Sequence, residues 1–374
     1  METLRCVKEK TFSADERDIF AAHLAAEGIS ANVWNIFDEW VKLSGKQVDF
    51  FYLKALRGPD LAGIAFFLKI KPVDLRTSYS ALRKNAFTRF LGAAISAAAG
   101  SCLYISFRNL ITANLTRPFF YADQSSGDEV MNAMLEFLKN EKEADMVSIV
   151  DTLKHDACYR SAGFSVYNSS SEAILDTKKY PSTDDYLAAH KSLKKNLAKK
   201  KITVMADVCR GHVSETDRLQ MKACVDNSVD VSNVNNPCQG FFERHIFNTE
   251  AFTSDDYVHI MVRVDGVIAG FHTYLISGSS LGGVLGGFNR ALSRNQFAYE
   301  RVIIASLEYA LEHGLTRVNY SLIDNLTKLR LVDTVEPCAL YFYARSGMNR
   351  KIFDITYRFN DIYHLAELEK GTGA

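Results

Sequence analysis

Between Val258 and Phe288 the chain alternates apolar runs with tight polar turns, a pattern that admits few folds. Val258-His259-Ile260-Met261-Val262-Arg263 breaks at Val264-Asp265-Gly266-Val267. The chain returns through Ile268-Ala269-Gly270-Phe271-His272-Thr273-Tyr274-Leu275-Ile276, breaks again at Gly278-Ser279-Ser280, and leaves through Val284-Leu285-Gly286-Gly287-Phe288. Strands joined by such short links pair with their sequence neighbours and run antiparallel, so the stretch predicts a meander. The period then changes. From Ala298 to His313, Val302, Ala305, Tyr309 and Leu311, with Ile303 and Leu307 beside them, recur at helical spacing, and Gly314 follows as a C-cap. A short strand is predicted from Arg317 to Leu322, then a polar segment, a second short helix ending at Tyr343-Ala344-Arg345-Ser346-Gly347-Met348, and a further strand from Ile352.

A similar order occurs earlier. Residues 1–45 predict a strand and two helices, with Ser13-Ala14-Asp15-Glu16 as cap and acidic first turn and Val33 to Leu43 as the second amphipathic stretch. Phe50 to Leu56, the turn Arg57-Gly58-Pro59-Asp60 and Leu61-Ala62-Gly63-Ile64-Ala65-Phe66 form a hairpin like the one that ends in Ile268-Ala269-Gly270-Phe271. A helical insertion (78–100), short strands at Cys102–Phe107 and Pro118–Tyr121, a helix from Asp128 to Asn140 and a strand from Met146 to Val150 follow. Tyr159 then stands four residues before Gly163, as Tyr343 stands four before Gly347. The sequence therefore predicts two copies of one unit, 1–182 and 183–374, which also suits 374 residues at roughly 100 to 200 residues per domain.

Charge excludes some partners. Lysine plus arginine equals aspartate plus glutamate at 44 each, so no global field attracts DNA or an anionic membrane. Seven cysteines, odd in number and without C-x-x-C spacing, argue against a zinc knuckle and a complete disulfide framework, and no metal ligand set is expected. Reduced thiols and an N-terminus without the apolar core of a signal peptide point to the cytoplasm. Phe90 to Phe107 is uncharged and reaches about 18 residues, the low end of what spans a bilayer. Its Ala, Gly and Ser content favours a buried helix-strand junction over stable membrane insertion, with lipid contact by residues 78–100 left open.

At Tyr343-Ala344-Arg345-Ser346-Gly347-Met348 the chain resembles the GNAT acyltransferase superfamily, whose late signature reads Tyr-x-Lys/Arg-x-Gly-Phe where a helix closes onto a strand; here Met replaces Phe. With the doubled order of elements, the likeness is to tandem GNAT proteins of the Fem-like type. These begin their second half with a basic helix, here carrying Lys191, Lys194, Lys195, Lys199, Lys200 and Lys201. The resemblance implies an α/β (α+β) chain of two tandem GNAT-like domains, each a mixed, mostly antiparallel sheet flanked by helices. The first would be structural and the second would hold the active site. The lysines read either as a solvated helix face or as a phosphate-binding patch.

Acyl transfer from a thioester to an amine needs a groove for the donor, backbone donors for the developing oxyanion and an acid for the departing thiolate. The resemblance implies a splayed strand at Val284 to Phe288 that frees a main-chain N–H, and a phosphate-facing helix N-terminus after Asn289 to Ala298. The donor-binding residues it implies are Phe288, Asn289, Arg290, Arg294, Gln296 and Tyr299, with Tyr320 on the next strand. The family's phosphate signature, Gln/Arg-x-x-Gly-x-Gly/Ala, is broken. The second copy reads Arg294-Asn295-Gln296-Phe297-Ala298-Tyr299, and the first, Gln124-Ser125-Ser126-Gly127-Asp128-Glu129, ends in two carboxylates. Gly282-Gly283 and Gly286-Gly287 mark a bulge or a close approach of substrate.

Tyr343 is the expected acid, against the alternative of a core tyrosine, and Tyr341 competes with it. Asn325 and Lys328 fall where Fem-like relatives carry a polar segment with a lysine, so Lys328 would orient an anionic group of the substrate unless it is a plain surface lysine. His272, on a strand, is a candidate general base, as is Glu243 in a helix from Phe241 to Phe247. A structural histidine and an exposed ion pair are the competing readings. The expected function is N-acyl transfer from acyl-CoA or an acyl carrier protein, as co-substrate with no tightly bound cofactor, to an amine-bearing small molecule or peptide. Two alternatives stand beside it: Fem-like transfer from aminoacyl-tRNA, and a non-catalytic binder on a degenerate scaffold.

Overall fold

Strand β1 (Leu4–Glu9) leads into helices α1 (Ala14–Ala26) and α2 (Asn32–Lys42). The predicted cap of α1 forms as a capping box: Glu16 N–H donates to Ser13 Oγ at 3.2 Å, and Ser13 N–H to Glu16 Oε2 at 2.8 Å. The hairpin β2 (Val48–Arg57) and β3 (Asp60–Ile70) turns at Gly58, φ +60°. Then come β4 (Leu103–Ser106), β5 (Phe119–Tyr121), α3 (Gly127–Asn140), β6 (Met146–Thr152), α4 (Asp156–Ser161), β7 (Ser165–Asn168) and β8 (Glu172–Asp176). The computed structural model describes residues 3–26, 28, 30, 32–45, 48–71, 103–106, 118–168, 172–198, 204–228, 253–293, 297–322, 326–355 and 357. The predicted insertion at 78–100 and the helix from Phe241 to Phe247 lie outside them, as does all of Phe90 to Phe107 except β4.

The second half runs through α5 (Thr183–Ala189), α6 (Lys191–Ala198), β9 (Val204–Arg210) and α7 (Glu215–Ser228) to the meander β10 (Tyr257–Val264), β11 (Val267–Ser277) and β12 (Ser280–Phe288). Asp265 and Gly266 both take positive φ, the geometry of a tight hairpin turn. Helices α8 (Arg290–Ser293) and α9 (Ala298–Glu312), β13 (Arg317–Leu322), α10 (Leu326–Leu331), β14 (Thr334–Glu336), β15 (Cys338–Ala344) and a helix over 347–355 follow, the last elements among the described residues.

Two mixed, mostly antiparallel sheets result, and each borrows a strand from the other half. One is ordered β1-β2-β3-β4-β6-β15-β7, with β5 on β3; the other is β14-β8-β13-β12-β11-β10-β9. Strand β15, near the chain's end, lies between β6 and β7, while β8 of the first half lies between β13 and β14.

The placement of β15 corrects the sequence reading of Tyr343. The predicted helix ending at Tyr343 to Met348 is a strand through Ala344, and a helix over 347–355 stands where a strand from Ile352 is predicted. The run Ala339-Leu340-Tyr341-Phe342-Tyr343 forms a strand because both its faces have apolar partners. Ala339, Tyr341 and Tyr343 pack with α3 and α4, and Leu340 and Phe342 pack around Phe353. Gly163 takes the left-handed φ of +82° just past α4, whereas Gly347 opens the helix over 347–355. In element order the counterpart of α4 is α10, and it contains no tyrosine.

Besides the small cluster around Phe353, three larger cores hold the described residues together. One lies between the first sheet and α3, one between the second sheet and α9, and the third joins Phe50, Tyr52 and Phe66 with Met261, Phe271 and Leu275 of the opposite half. The halves also meet where Gly278 N–H donates to the Gly28 carbonyl at 2.7 Å. A Cβ on Gly28 would lie 2.6 Å from the Gly278 backbone, and both glycines have positive φ. The exchange predicts that residues 1–182 expressed alone show no cooperative thermal transition by circular dichroism, because β6 and β7 lose the strand between them. Tyr341→Ala in the full chain should cost about 3–5 kcal/mol in denaturant unfolding, since Tyr341 stacks on Tyr159 at 3.7 Å between ring centroids.

Candidate active site

The second sheet opens at its centre. Strands β12 and β13 pair in parallel only through Ser280/Arg317, Leu281/Val318 and Gly282/Asn319, and β12 then continues to Phe288 without β13. At the same point β12 bulges: Thr273 of β11 faces Leu285 and Tyr274 faces Gly283, which leaves Val284 over. A bulged residue drops out of the ladder, so its backbone groups become available to a ligand. Val284, Leu285 and Gly286 are half-buried beside β11, which is mostly covered.

His272 lies against this bulge. It is in register with Gly286, and a Cβ on Gly283 or Gly286 would come within 2.5 Å of His272 Cε1 or 2.6 Å of Cδ2. The two glycines are thus the space in which the imidazole fits. The residue is half-buried, but Nδ1 itself is shut away from solvent and no well-formed hydrogen bond reaches it. Burial, with the Lys328 ammonium adding to it, pushes His272 down to about 3, outweighing a backbone contact at Thr273 that acts the other way. An imidazole held neutral so far below 7 is a poor general base at neutral pH, contrary to the sequence expectation. Lys328, on α10, is 7% exposed, which sets aside the reading of a plain surface lysine.

On the opposite face of β13 a second polar group is sealed in. Asn319 Nδ2 donates to Glu172 Oε2 at 2.9 Å, and Cys338 Sγ lies 3.6 Å from Glu172 Oε1. Glu172 and Asn319 are 1% and 0% exposed. Glu172 arrives on β8, so this carboxylate from the first half sits beside the last β12/β13 pair of the second. Sequence reasoning missed both residues, although a glutamate opening the apolar run Ala173-Ile174-Leu175 is a signal that it has a buried partner.

The other expected site residues separate into groups. Phe288 packs on Tyr299 at 5.4 Å and across Gly270. Asn289 Oδ1 accepts from Ala291 N–H at 3.1 Å, and Arg290 is exposed. Tyr320 is turned into the core, its hydroxyl 2.7 Å from Ser306 Oγ. Tyr341 and Tyr343 belong to the other sheet and its core: Tyr341 is buried on Tyr159, and Tyr343 packs on Phe164 at 5.6 Å. The strand assignment removes the motif that pointed to Tyr343 as an acid. Arg294, Gln296, Asn325 and Glu243 lie outside the described residues.

The helix expected to receive phosphates begins unusually. Phe297, at a glycine position of the family signature, adopts the left-handed conformation (φ +52°) as N-cap of α9. Left-handed backbone at a bulky residue costs on the order of 1–3 kcal/mol. Glu300 occupies the first turn, and burial raises its carboxyl above the ordinary value. A carboxylate there competes with any phosphate for the amides of the helix end.

No protein-family model matches the chain, and no curated protein sequence does. Comparison with solved structures gives the fold: it is the tandem GNAT fold of Fem-type proteins. L-PGS from Bacillus licheniformis superposes with a TM-score of 0.53 at 10% identity, over 95% of this chain and 98% of that one. A tandem GNAT protein from the clavulanic acid biosynthesis pathway gives 0.52 at 11% identity, over 92% and 99%. FemX gives 0.50 at 13% identity, over 94% and 100%.

The depressed His272 predicts a pH dependence of stability. Between about 3 and 6.5 the unfolded imidazole binds a proton that the folded one refuses, so stability rises with pH across that window. The slope from this one group is at most about 1.4 kcal/mol per pH unit. His272→Asn should flatten that part of the profile when denaturant midpoints are compared across the window; an unchanged slope would mean His272 titrates normally.

Proposed function

We propose that the chain is an N-acyltransferase acting where β12 leaves β13. The observation that carries this reading is the bulge at Val284, which frees backbone groups beside the half-buried Leu285, Gly286 and His272 at the mouth of the parting. In the proposed reaction the amine nitrogen attacks the carbonyl carbon of a thioester. A C–N bond forms, the C–S bond breaks, and the proton lost by nitrogen balances the one gained by sulfur. The oxyanion is met by backbone N–H of the bulge, and the Lys328 ammonium orients an anionic group of donor or acceptor. Neutral His272 contributes shape and a fixed dipole and moves no proton. The acceptor is an amine-bearing small molecule or peptide.

The donor is a thioester carried by coenzyme A or an acyl carrier protein. Glu300 and Phe297 at the head of α9 favour the carrier protein, whose prosthetic arm has no pyrophosphate to place there. Transfer from aminoacyl-tRNA is the second reading, favoured by Lys191, Lys194 and Lys195, which project from α6 around buried Leu193. The described cysteines are free thiols, which supports the cytoplasmic assignment. Among the described residues no helix is long and apolar enough to cross a membrane.

Thermal shift and transfer assays with acyl-CoA, acyl carrier protein and charged tRNA separate these donors, because a ligand that binds only the folded state raises its apparent stability. Silence from all three would leave the scaffold a binder and end the catalytic reading. With the active donor, Lys328→Met should lower kcat/KM by about ten- to a hundredfold, the loss of one charged hydrogen bond. The double change Tyr341→Phe, Tyr343→Phe should stay within about twofold, since neither hydroxyl is placed at the parting. A large loss in that double variant would return the acid role to β15.

A further inference from the structure

Away from the strand parting, one set of metal-binding side chains converges among the described residues. Asp128, His155 and Cys158 each offer a ligand atom, and these atoms all lie within 4.8 Å of one another. Asp128 stands in the first turn of α3, and His155 and Cys158 stand three residues apart on the turn that opens α4. That spacing puts the imidazole and the thiol on one side of a helical turn, facing the carboxylate of the neighbouring helix.

The Cys158 thiol is within hydrogen-bond reach of the Asp128 carboxylate, and the imidazole stands just outside it. His155 Nδ1 and Asp128 Oδ1 are 3.8 Å apart, beyond a hydrogen bond. Two ligands bonded at about 2.1 Å to one tetrahedral ion stand roughly 3.4 Å apart, so a closure of a few tenths of an ångström brings His155 and Asp128 to that spacing. The charges also balance. A thiolate and a carboxylate neutralise a divalent ion, the imidazole adds no charge, and the mixed sulfur, nitrogen and oxygen set suits zinc among biological cations. Access lies on the Asp128 side, whose side chain is 77% exposed against 11% for His155. That side leaves a coordination position to water.

We propose that Asp128, His155 and Cys158 form a three-ligand site for a divalent ion of the zinc class, completed by water. Binding makes one metal–sulfur, one metal–nitrogen and one metal–oxygen bond and releases the thiol proton to solvent. The ion ties the start of α4 to the start of α3, at the edge of the core that holds Tyr159 and Tyr341. The site lies in the first half, takes no part in the acyl transfer proposed above, and stands or falls independently of it.

Cobalt is the probe. Full-length protein, free of any histidine tag and stripped with chelator, should bind one equivalent of Co2+ and show a thiolate-to-cobalt charge-transfer band that one equivalent of Zn2+ abolishes. Cys158→Ser should remove the band, and His155→Ala or Asp128→Asn should weaken binding at least about tenfold, the loss that even outer-shell changes bring. Cys209→Ser, at another accessible thiol, should leave the band unchanged. Far-ultraviolet circular dichroism of each variant shows that the fold persists. Absence of the band, or a band that survives Cys158→Ser, overturns the proposal, the second result meaning that cobalt sits on another cysteine.

Discussion

Strand β15 is hydrogen-bonded on one side to β6 and on the other to β7, so a segment near the chain's end completes a sheet begun at residue 4. Strand β8 does the reverse for the second sheet. Neither sheet closes its ladder without the other half, and an unpaired backbone group in a buried strand loses the equivalent of a hydrogen bond. The third core, where Phe50 and Tyr52 meet Phe271 and Leu275, buries further apolar surface over the joint. Backbone pairing and side-chain packing therefore enforce the same union. The Gly28–Gly278 contact shows how closely the halves approach, since a side chain at Gly28 would collide with the Gly278 backbone.

The polar groups at the strand parting depend on that union. Glu172 is placed by β8, and Asn319 holds its carboxylate at the last pair before β12 and β13 separate. On the other face Gly283 and Gly286 give up their side chains so that His272 can lie against the bulge. Burial and the nearby Lys328 keep that imidazole neutral. Shape and dipole are what remain for it to contribute, while the charge beside it belongs to Lys328.

Much of this architecture was legible in the sequence, and the reasons are local. The meander from Val258 to Phe288 is written in its turns, and α9 in the spacing from Val302 to Tyr309. The capping box at Ser13 is a four-residue signal that formed as read. The strand exchange was not legible, because alternation at Ala339 to Tyr343 says that a strand forms and nothing about which sheet receives it. The short motif from Tyr343 to Met348 drew that run toward a helix end, and the apolar partners on both its faces decided otherwise. Glu172 and Asn319 lie 147 residues apart and meet only through the exchange. His272 was visible as a histidine on a strand, but its depressed basicity depends on Lys328 and on the packing around it.

The exchange also orders events in time. Tyr341 of β15 lies 189 residues after Thr152, where β6 ends. At synthesis rates of about 5–20 residues per second, β6 waits on the order of 10–40 s for its partner. Through that interval β6 and β7 present open strand edges, a feature that invites pairing with other chains. Until β15 leaves the ribosome, the nascent chain carries an unsatisfied strand edge of the kind that chaperones shield.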